Sequence, residues 1–347
     1  MTVPWSFVEK FRLQQLLWSI PAPSYSRSGL FAGFGADGQQ GSPRRTRAAV
    51  NYHYDHPVEF WRLWLDESLS YSCAYFQSED YSLAAAQKAK LDYICRKLRL
   101  QPGMRLLDLG CGWGALMVHA ASHYGIEAVG LTVSPEQAQV ARQRIRQAGV
   151  EQRCRVEVAD FFDFRGPERF DRVTSVGAAE HVPESRFEDY FRVAFASLRP
   201  GGQFLHHAIS HTPSISERPG RSFNHRYVFP DHFLATIGQT LSAAETIGFE
   251  IRDVESLREH YALTLKHWLE RFEAAQSDLQ KLTDEVSCRV FRLYLAGTAY
   301  EFQCGRVNLH QSLLVKAKGG RSGVPLTRHD WYRAEESPAV ALASAAV

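Results

Sequence analysis

The 347-residue sequence has no C-x-x-C pair. Its six cysteines, Cys73, Cys95, Cys111, Cys154, Cys288 and Cys304, are scattered. Neither a zinc knuckle nor a disulfide framework is indicated, no metal is expected, and reduced thiols in a cytoplasmic protein are the default. There is no run of about 18 apolar residues, so no transmembrane helix is expected. The first dozen residues mix Glu9 with Lys10 and Arg12, unlike the basic-then-apolar layout of a secretory signal. Charge of one sign is not in excess: 40 Lys and Arg stand against 38 Asp and Glu, a net +2. That excludes a strongly basic nucleic-acid binder. No internal repeat is visible. The length suffices for one large domain, or one with a substantial insertion.

The most informative stretch is Met104 to Gly114, MRLLDLGCGWG. A short apolar run ends in Asp108, and Gly110, Gly112 and Gly114 follow at alternate positions. This reads as a buried parallel strand entering a tight glycine turn that opens a helix. Glycine admits backbone angles closed to other residues and lets a ligand approach the chain. The spacing is G-x-G-x-G, one residue short of the dinucleotide fingerprint. An acid at the strand tip suits an ammonium better than a pyrophosphate. S-adenosylmethionine (SAM) carries an ammonium and no phosphate.

Three zones follow along the chain. Residues 1 to about 50 hold a short amphipathic opening (Trp5 to Ile20) and a Gly/Ser/Pro-rich linker from about Pro21 to Ser42. Residues 51 to 210 alternate apolar strands with helical patterns, which predicts a parallel sheet flanked by helices. The strands are expected at Arg105–Leu109, Glu127–Leu131, Arg155–Val158, Asp171–Val176 and Gln203–Ile209. A helix from about Gly114 to Tyr124 follows the glycine loop. Another follows Ser134, a plausible N-cap, and Pro135. Residues 211 to 300 read as a helical, aromatic cap interrupted by a strand at Phe249–Val254. The last zone, 301 to 347, holds a final strand at Val307–Lys316, and the tail from about Pro338 is expected to fray. The fold class is therefore α/β, a Rossmann-like SAM-dependent methyltransferase sheet with a helical cap.

In a nucleotide-binding sheet the second strand usually ends in an acid that grips the ribose. Here its tip carries Thr132, and Glu136 lies inside the next helix. Thr132 and the Gln137 amide can serve as ribose contacts, or be ordinary capping and surface residues. Four further segments hold side chains that structural needs do not readily explain: YSCAYF (Tyr71–Phe76), SVGAAEHV (Ser175–Val182), FLHHAIS (Phe204–Ser210) and EHYALTLKHW (Glu259–Trp268). Ligands of open parallel sheets bind at the carboxyl ends of strands, where Glu180 falls. His207 sits in an apolar strand and needs a partner. Taken singly, each has a plain explanation as a core residue.

Together with NYHYD (Asn51–Asp55), GLTVSPEQ (Gly130–Gln137) and HRYVFP (His225–Pro230), these segments resemble the cyclopropane-fatty-acyl-phospholipid synthase family. That family includes the mycolic acid cyclopropane synthases and related lipid C-methyltransferases. The resemblance runs from about Val50 to about Lys316. It implies a SAM-binding sheet, a helical cap that shapes an acyl pocket, and a bicarbonate ion acting as base. The positions matching the bicarbonate ligands are Cys73, Glu180, His207, Ile209 and Tyr261. The cofactor contacts expected are Tyr71, Ser72, Asp108, Gly110, Gly112, Gly114, Thr132, Gln137 and Phe161. Three places depart from the family pattern: His56-Pro57-Val58, Ala179 in place of a phenylalanine, and the aromatic region before His225. They bear on which substrate is used more than on the reaction.

The chemistry fits those residues. An alkene is a weak nucleophile, so methyl transfer to it needs close positioning. The resulting carbocation demands a dry pocket, and aromatic faces stabilise it. The sequence carries 7 Trp, 14 Tyr and 21 Phe, enough to line such a pocket. The acceptor expected is an unsaturated acyl lipid reached at a membrane surface, at the inner face. Candidates for that contact are the N-terminal amphipathic segment, the helical third zone and Arg44, Arg45 and Arg47. Packing of that segment on its own domain is the alternative. A homodimer is left open. The other readings are a C-methyltransferase giving a branched lipid or acting on another alkene, a small-amine N-methyltransferase, and a non-enzymatic lipid-binding protein.

Overall fold

The computed structural model describes residues 43–54, 56–166, 169–213 and 223–332. The amphipathic opening, the linker up to Ser42 and the tail from Pro338 lie outside them.

Seven strands form one sheet: β1 (Arg105–Leu109), β2 (Glu127–Thr132), β3 (Cys154–Val158), β4 (Phe170–Val176), β5 (Leu198–His211), β6 (Glu250–Ser256) and β7 (Val307–Val315). Their order is β3-β2-β1-β4-β5-β7-β6. Strands β1 to β5 pair in parallel, while β7 runs antiparallel to both β5 and β6. The strand candidates agree with these within a few residues. Two features differ from the expectation. Strand β5 starts at Leu198, ahead of Gly201 and Gly202, with a register shift against β4 between Phe170 and Arg172. The final strand is the reversed one.

The local chemistry explains the elements around the first turn. Leu106, Leu107 and Leu109 of β1 are fully buried, as a strand covered on both faces requires. Helix α4 (Ala115–Tyr124) lies between two left-handed glycines, Gly114 and Gly125. Helix α5 (Pro135–Gln147) starts as expected, with the Ser134 side chain accepting from Gln137 N at 3.2 Å and proline in the first turn. Helix α3 (Leu83–Lys97) precedes the sheet and packs with α4 and α5 over one face, around Ile94, Leu106, Met117 and Ala138. Helices α6 (Phe187–Ser197) and α8 (Ile237–Ile247) cover the other face, around Tyr190, Phe191, Phe204 and Ala244, while α7 (Phe223–Tyr227) and α10 (Gln276–Leu282) are short.

A third cluster forms an aromatic cap. It joins α1 (Pro43–Tyr54) and α2 (Val58–Trp64) to α9 (Arg258–Ala274) and α11 (Glu285–Gln303). Trp61, Trp64, Trp268 and Phe302 are completely buried there. Truncating such a side chain costs about 3–5 kcal/mol. Residues 52–54 and 56–64, grouped with the sheet on sequence, pack in this cap instead. Among the described residues no helix is long and apolar enough to cross a membrane.

Candidate functional site

The carboxyl ends of β1, β2, β3 and β4 open into one cavity. Its walls include Tyr71, Ser72, Asp108, Gly110, Gly112, Thr132, Gln137 and Phe161. Eight of the nine predicted cofactor contacts therefore share one space. The exception is Gly114, which does not line it. A Cβ there would meet Ala141 Cβ at 3.0 Å, so this glycine serves the packing of α4 on α5.

The side chains in this cavity are mostly committed. Asp108 Oδ1 accepts from the Thr174 hydroxyl at 2.9 Å. Burial raises its carboxyl to about 6, opposed by that hydrogen bond and by Lys90. A cation arriving beside Asp108 would favour the charged form. The Thr132 hydroxyl donates to Gln137 Oε1 at 2.8 Å. Ser72 Oγ accepts from Lys90 Nζ at 2.9 Å. The Tyr71 hydroxyl donates to that of Tyr294 at 3.0 Å and lies 3.1 Å from His53 Nε2. Phe161 stands edge-on to Tyr190.

Sequence reasoning missed several lining residues. Lys90 is buried within α3, where burial brings its ammonium down to about 8. Nothing in the helical pattern marks it. Asp160 follows β3 and is buried, with Oδ1 accepting from Phe162 N at 3.0 Å. The rule that ligands gather at strand ends could have found it. Tyr54, Trp113 and His181 complete the wall toward the cap.

The five expected anion ligands are distributed differently. Glu180 lies past β4, in a 3₁₀ turn over Ala179–His181. Its Oε1 accepts from Ile209 N at 2.8 Å, while Oε2 is sealed from solvent without a partner among the described residues. Burial raises this carboxyl to about 7, against the pull of the backbone donors. Such a group is able to hold a proton near neutrality. The residue-level exposure of Glu180 is intermediate, but the free oxygen itself is enclosed.

Tyr261, on α9, is buried, and its hydroxyl is pushed up by burial first, then by Tyr294, Cys73 and Glu180. Cys73 and Glu180 thus each lie within electrostatic range of Tyr261. Burial pushes the Cys73 thiol up too, and Sγ donates to Ala74 O at 3.2 Å, so it is not a thiolate. His207 shares a strand face with Ile209, two residues on. Its Nδ1 lies 3.0 Å from Gln311 Nε2, and its Nε2 is buried with no partner among the described residues. Its neighbour His206 points to the opposite face, where Nδ1 meets the Tyr190 hydroxyl at 2.9 Å.

The departures from the family pattern also have places. Pro57 caps α2, and His56 stacks on Phe60 at 4.5 Å. Ala179 is buried, and its neighbour Ala178 faces Gly110. Arg45, expected to meet head groups, is paired with Asp231. The side chains of Arg44 and Arg47 lie outside the described residues.

Comparison with known proteins agrees with this geometry. Residues 41–312 match the family described as mycolic acid cyclopropane synthetase. A probable fatty acid methyltransferase of Pseudomonas putida is 43% identical over 296 residues, covering 84% of this chain and 75% of the relative. The cyclopropane-fatty-acyl-phospholipid synthase of Escherichia coli is 35% identical over 288 residues, covering 83% and 72%. The crystal structure of a mycolic acid cyclopropane synthase complexed with SAH and CTAB superposes with a TM-score of 0.73 at 36% identity, covering 77% of this chain and 97% of that one. The chain belongs to the mycolic acid cyclopropane synthetase family of SAM-dependent lipid methyltransferases.

Proposed function

We propose that this enzyme adds a one-carbon unit to the double bond of an unsaturated acyl chain in a phospholipid, forming a cyclopropane ring, with bicarbonate as the base. The observation that carries the reading is the pair of sealed polar atoms without partners, Glu180 Oε2 and His207 Nε2, beside an aromatic cap. Buried polar groups without partners are costly, so their presence points to something that binds them.

The residues present fit both small molecules. A Cβ on Gly112 would meet nothing within 4 Å, so the chain there leaves room for a ligand. Asp108 offers a buried carboxylate to an ammonium, and Asp160 a second acceptor for an amino group. When bound, SAM supplies an electrophilic sulfonium methyl. Tyr71, Ser72, Thr132, Gln137 and Phe161 would border it.

The protein's task is then positioning and shielding. Orientation alone is worth roughly 7–11 kcal/mol in favourable cases. Methylating an alkene leaves a carbocation that water would quench. Tyr54, Tyr71 and Trp113 border the cavity, and an aromatic face turned to the cation would be worth about 0.5–2 kcal/mol. Loss of one proton from the new methyl group closes the ring. Cys73, Glu180, His207, Ile209 and Tyr261 would hold the bicarbonate that takes it. Two anions side by side repel, so Glu180 would hold its own proton at Oε2 and donate. The name of the Pseudomonas relative favours a second reading, a methyl-branched product. It would use the same residues, but its cation would be quenched by a hydride, which needs a separate reductant as hydride donor.

Mass spectrometry of lipids from cells expressing the chain separates the two. Gain of one CH₂, with a ring replacing the double bond, is the expected product. Gain of CH₂ and two hydrogens marks the branched one. The base reading expects Glu180→Ala, which removes the donor, to lose roughly 10²–10⁴ in rate while still binding SAM; Glu180→Gln keeps an NH₂ donor in the same place and should lose less. Bicarbonate added to a depleted preparation should restore turnover of the intact enzyme. Full activity without bicarbonate, with a mild Glu180→Ala effect, would mean that another group takes the proton.

A further inference from the structure

His207 is the end of a hydrogen-bonded row that crosses three strands. In the antiparallel pairing of β5 and β7, His207 stands directly opposite Gln311. In the pairing of β7 and β6, Gln311 stands opposite Glu255. Side chains opposite one another share a face, so the three lie side by side. Lys97, from the last turn of α3, closes the row from outside the sheet. Its Nζ donates to Gln311 Oε1 at 2.9 Å and to Glu255, and lies 3.9 Å from Asp253. Glu255 also accepts from the Tyr93 hydroxyl at 3.0 Å, and Asp253 pairs with Arg328. Burial lowers the Lys97 ammonium, and the Glu255 and Asp253 carboxylates oppose that; with Glu255 and the Gln311 amide both within its reach, Nζ stands here as the charged donor.

The row fixes protons by elimination. An ammonium only donates, so the Gln311 atom facing Lys97 is the oxygen. The other end of that amide is then the NH₂, and it faces His207 Nδ1. An NH₂ also only donates, so Nδ1 must be the bare nitrogen. The ring is neutral for the same reason, since an imidazolium would set an N–H against an N–H. Burial works in the same direction, as do Lys90, His206 and Lys97. A neutral imidazole with a bare Nδ1 carries its proton on Nε2. That is the buried nitrogen left without a partner.

We propose that Lys97 and Gln311 are positioning residues that hold His207 as the Nε2–H tautomer, so that it donates a hydrogen bond into the site beside Glu180 and Tyr261. His207 then cannot take the substrate proton; it binds an oxygen acceptor instead. The inference rests on the anion-site reading for what that acceptor is, but the tautomer stands on the row alone.

The test is nitrogen NMR of the full chain labelled with ¹⁵N-histidine, with His207 assigned by the resonance lost in His207→Asn. The expected spectrum of the unaltered enzyme shows His207 neutral, Nε2 protonated and Nδ1 bare. A neutral Nδ1–H form or an imidazolium overturns the proposal, and this arm needs no variant at Gln311 to fold. Gln311→Glu keeps the size and the contact with Lys97 but offers Nδ1 an acceptor. It should convert His207 to a form protonated at Nδ1 and lower kcat by roughly 10²–10⁴, the scale on which a wrong tautomer acts. SAM affinity should stay within about twofold, since neither residue borders the cofactor cavity. An unchanged tautomer in a folded Gln311→Glu overturns the proposal as well. Titrating bicarbonate separates the two readings. The expected tautomer with no shift of the His207 signal leaves the row intact and removes bicarbonate as its acceptor.

Discussion

Gly110, Gly112 and Gly114 all hold positive φ, at 89°, 52° and 81°, yet what a side chain would meet at each differs. At Gly110 a Cβ would sit 2.4 Å from Ala178 Cβ, so the loop could not close on the turn that carries Glu180. At Gly114 it would press on Ala141. Only at Gly112 does it enter open space. Gly112→Val should therefore fold, less about 1–2 kcal/mol for a left-handed, non-glycine residue, and lose SAM binding. Gly110→Ala should instead lower the melting temperature sharply. Calorimetry with SAM and thermal unfolding of both variants check the split. Wild-type SAM affinity in Gly112→Val would place the cofactor elsewhere.

At the scale of elements, α5 links the cap residue to the site. Ser134 N donates to Thr132 Oγ1 at 3.2 Å while the Ser134 side chain accepts from Gln137 N. The cap thus fixes the two side chains expected at the ribose. Ser134→Ala should cost about 0.5–2 kcal/mol of stability and weaken SAM binding together with it. Ser134→Asp should restore both. Stability lost with SAM affinity unchanged would show that α5 does not present these groups to the ligand. Helix starts of this kind were legible because cap and partner are three residues apart. The strands were legible for a similar reason, since Leu106 and Leu107 lead straight into Asp108 and the glycine turn, and Ala128–Leu131 is a short uncharged stretch just before Ser134-Pro135. What stayed hidden depends on partners distant in sequence. Gln311 meets His207 only because β7 is reversed, and apolar runs carry no direction. Lys90 and Lys97 look like solvated helix lysines until the fold buries them. The cofactor loop and the second strand's tip were legible from the strand, turn and helix pattern, while the anion-site positions came from family resemblance; Gly114, which also packs against Ala141, shows that a loop glycine can answer to the backbone and the neighbouring helix as well as to a ligand.

On the proposed function, the whole molecule has to bring an acyl chain from a bilayer to a cavity behind an aromatic cap. No helix among the described residues can span a membrane, and net charge is only +2. On that reading, binding to the surface of a membrane draws mainly on apolar contact, at about 0.8 kcal/mol for each buried CH₂. Contacts far from the double bond matter for rate as well as affinity. An enzyme can use remote binding energy to hold the reacting carbons in place, and truncated substrates then lose kcat. The prediction is that monounsaturated long-chain lipid in vesicles turns over faster than short, water-soluble alkenes by on the order of 10²-fold or more. The gap should persist at saturating alkene, because positioning and not occupancy is what the short substrate lacks. Rates of one-carbon transfer measured on both, at matched double-bond concentration, decide it. Equal rates would mean that the cap does not read the acyl chain. Turnover of a small amine alone would reassign the cavity to nitrogen methylation, for which the buried Glu180, His207 and Tyr261 have no evident use.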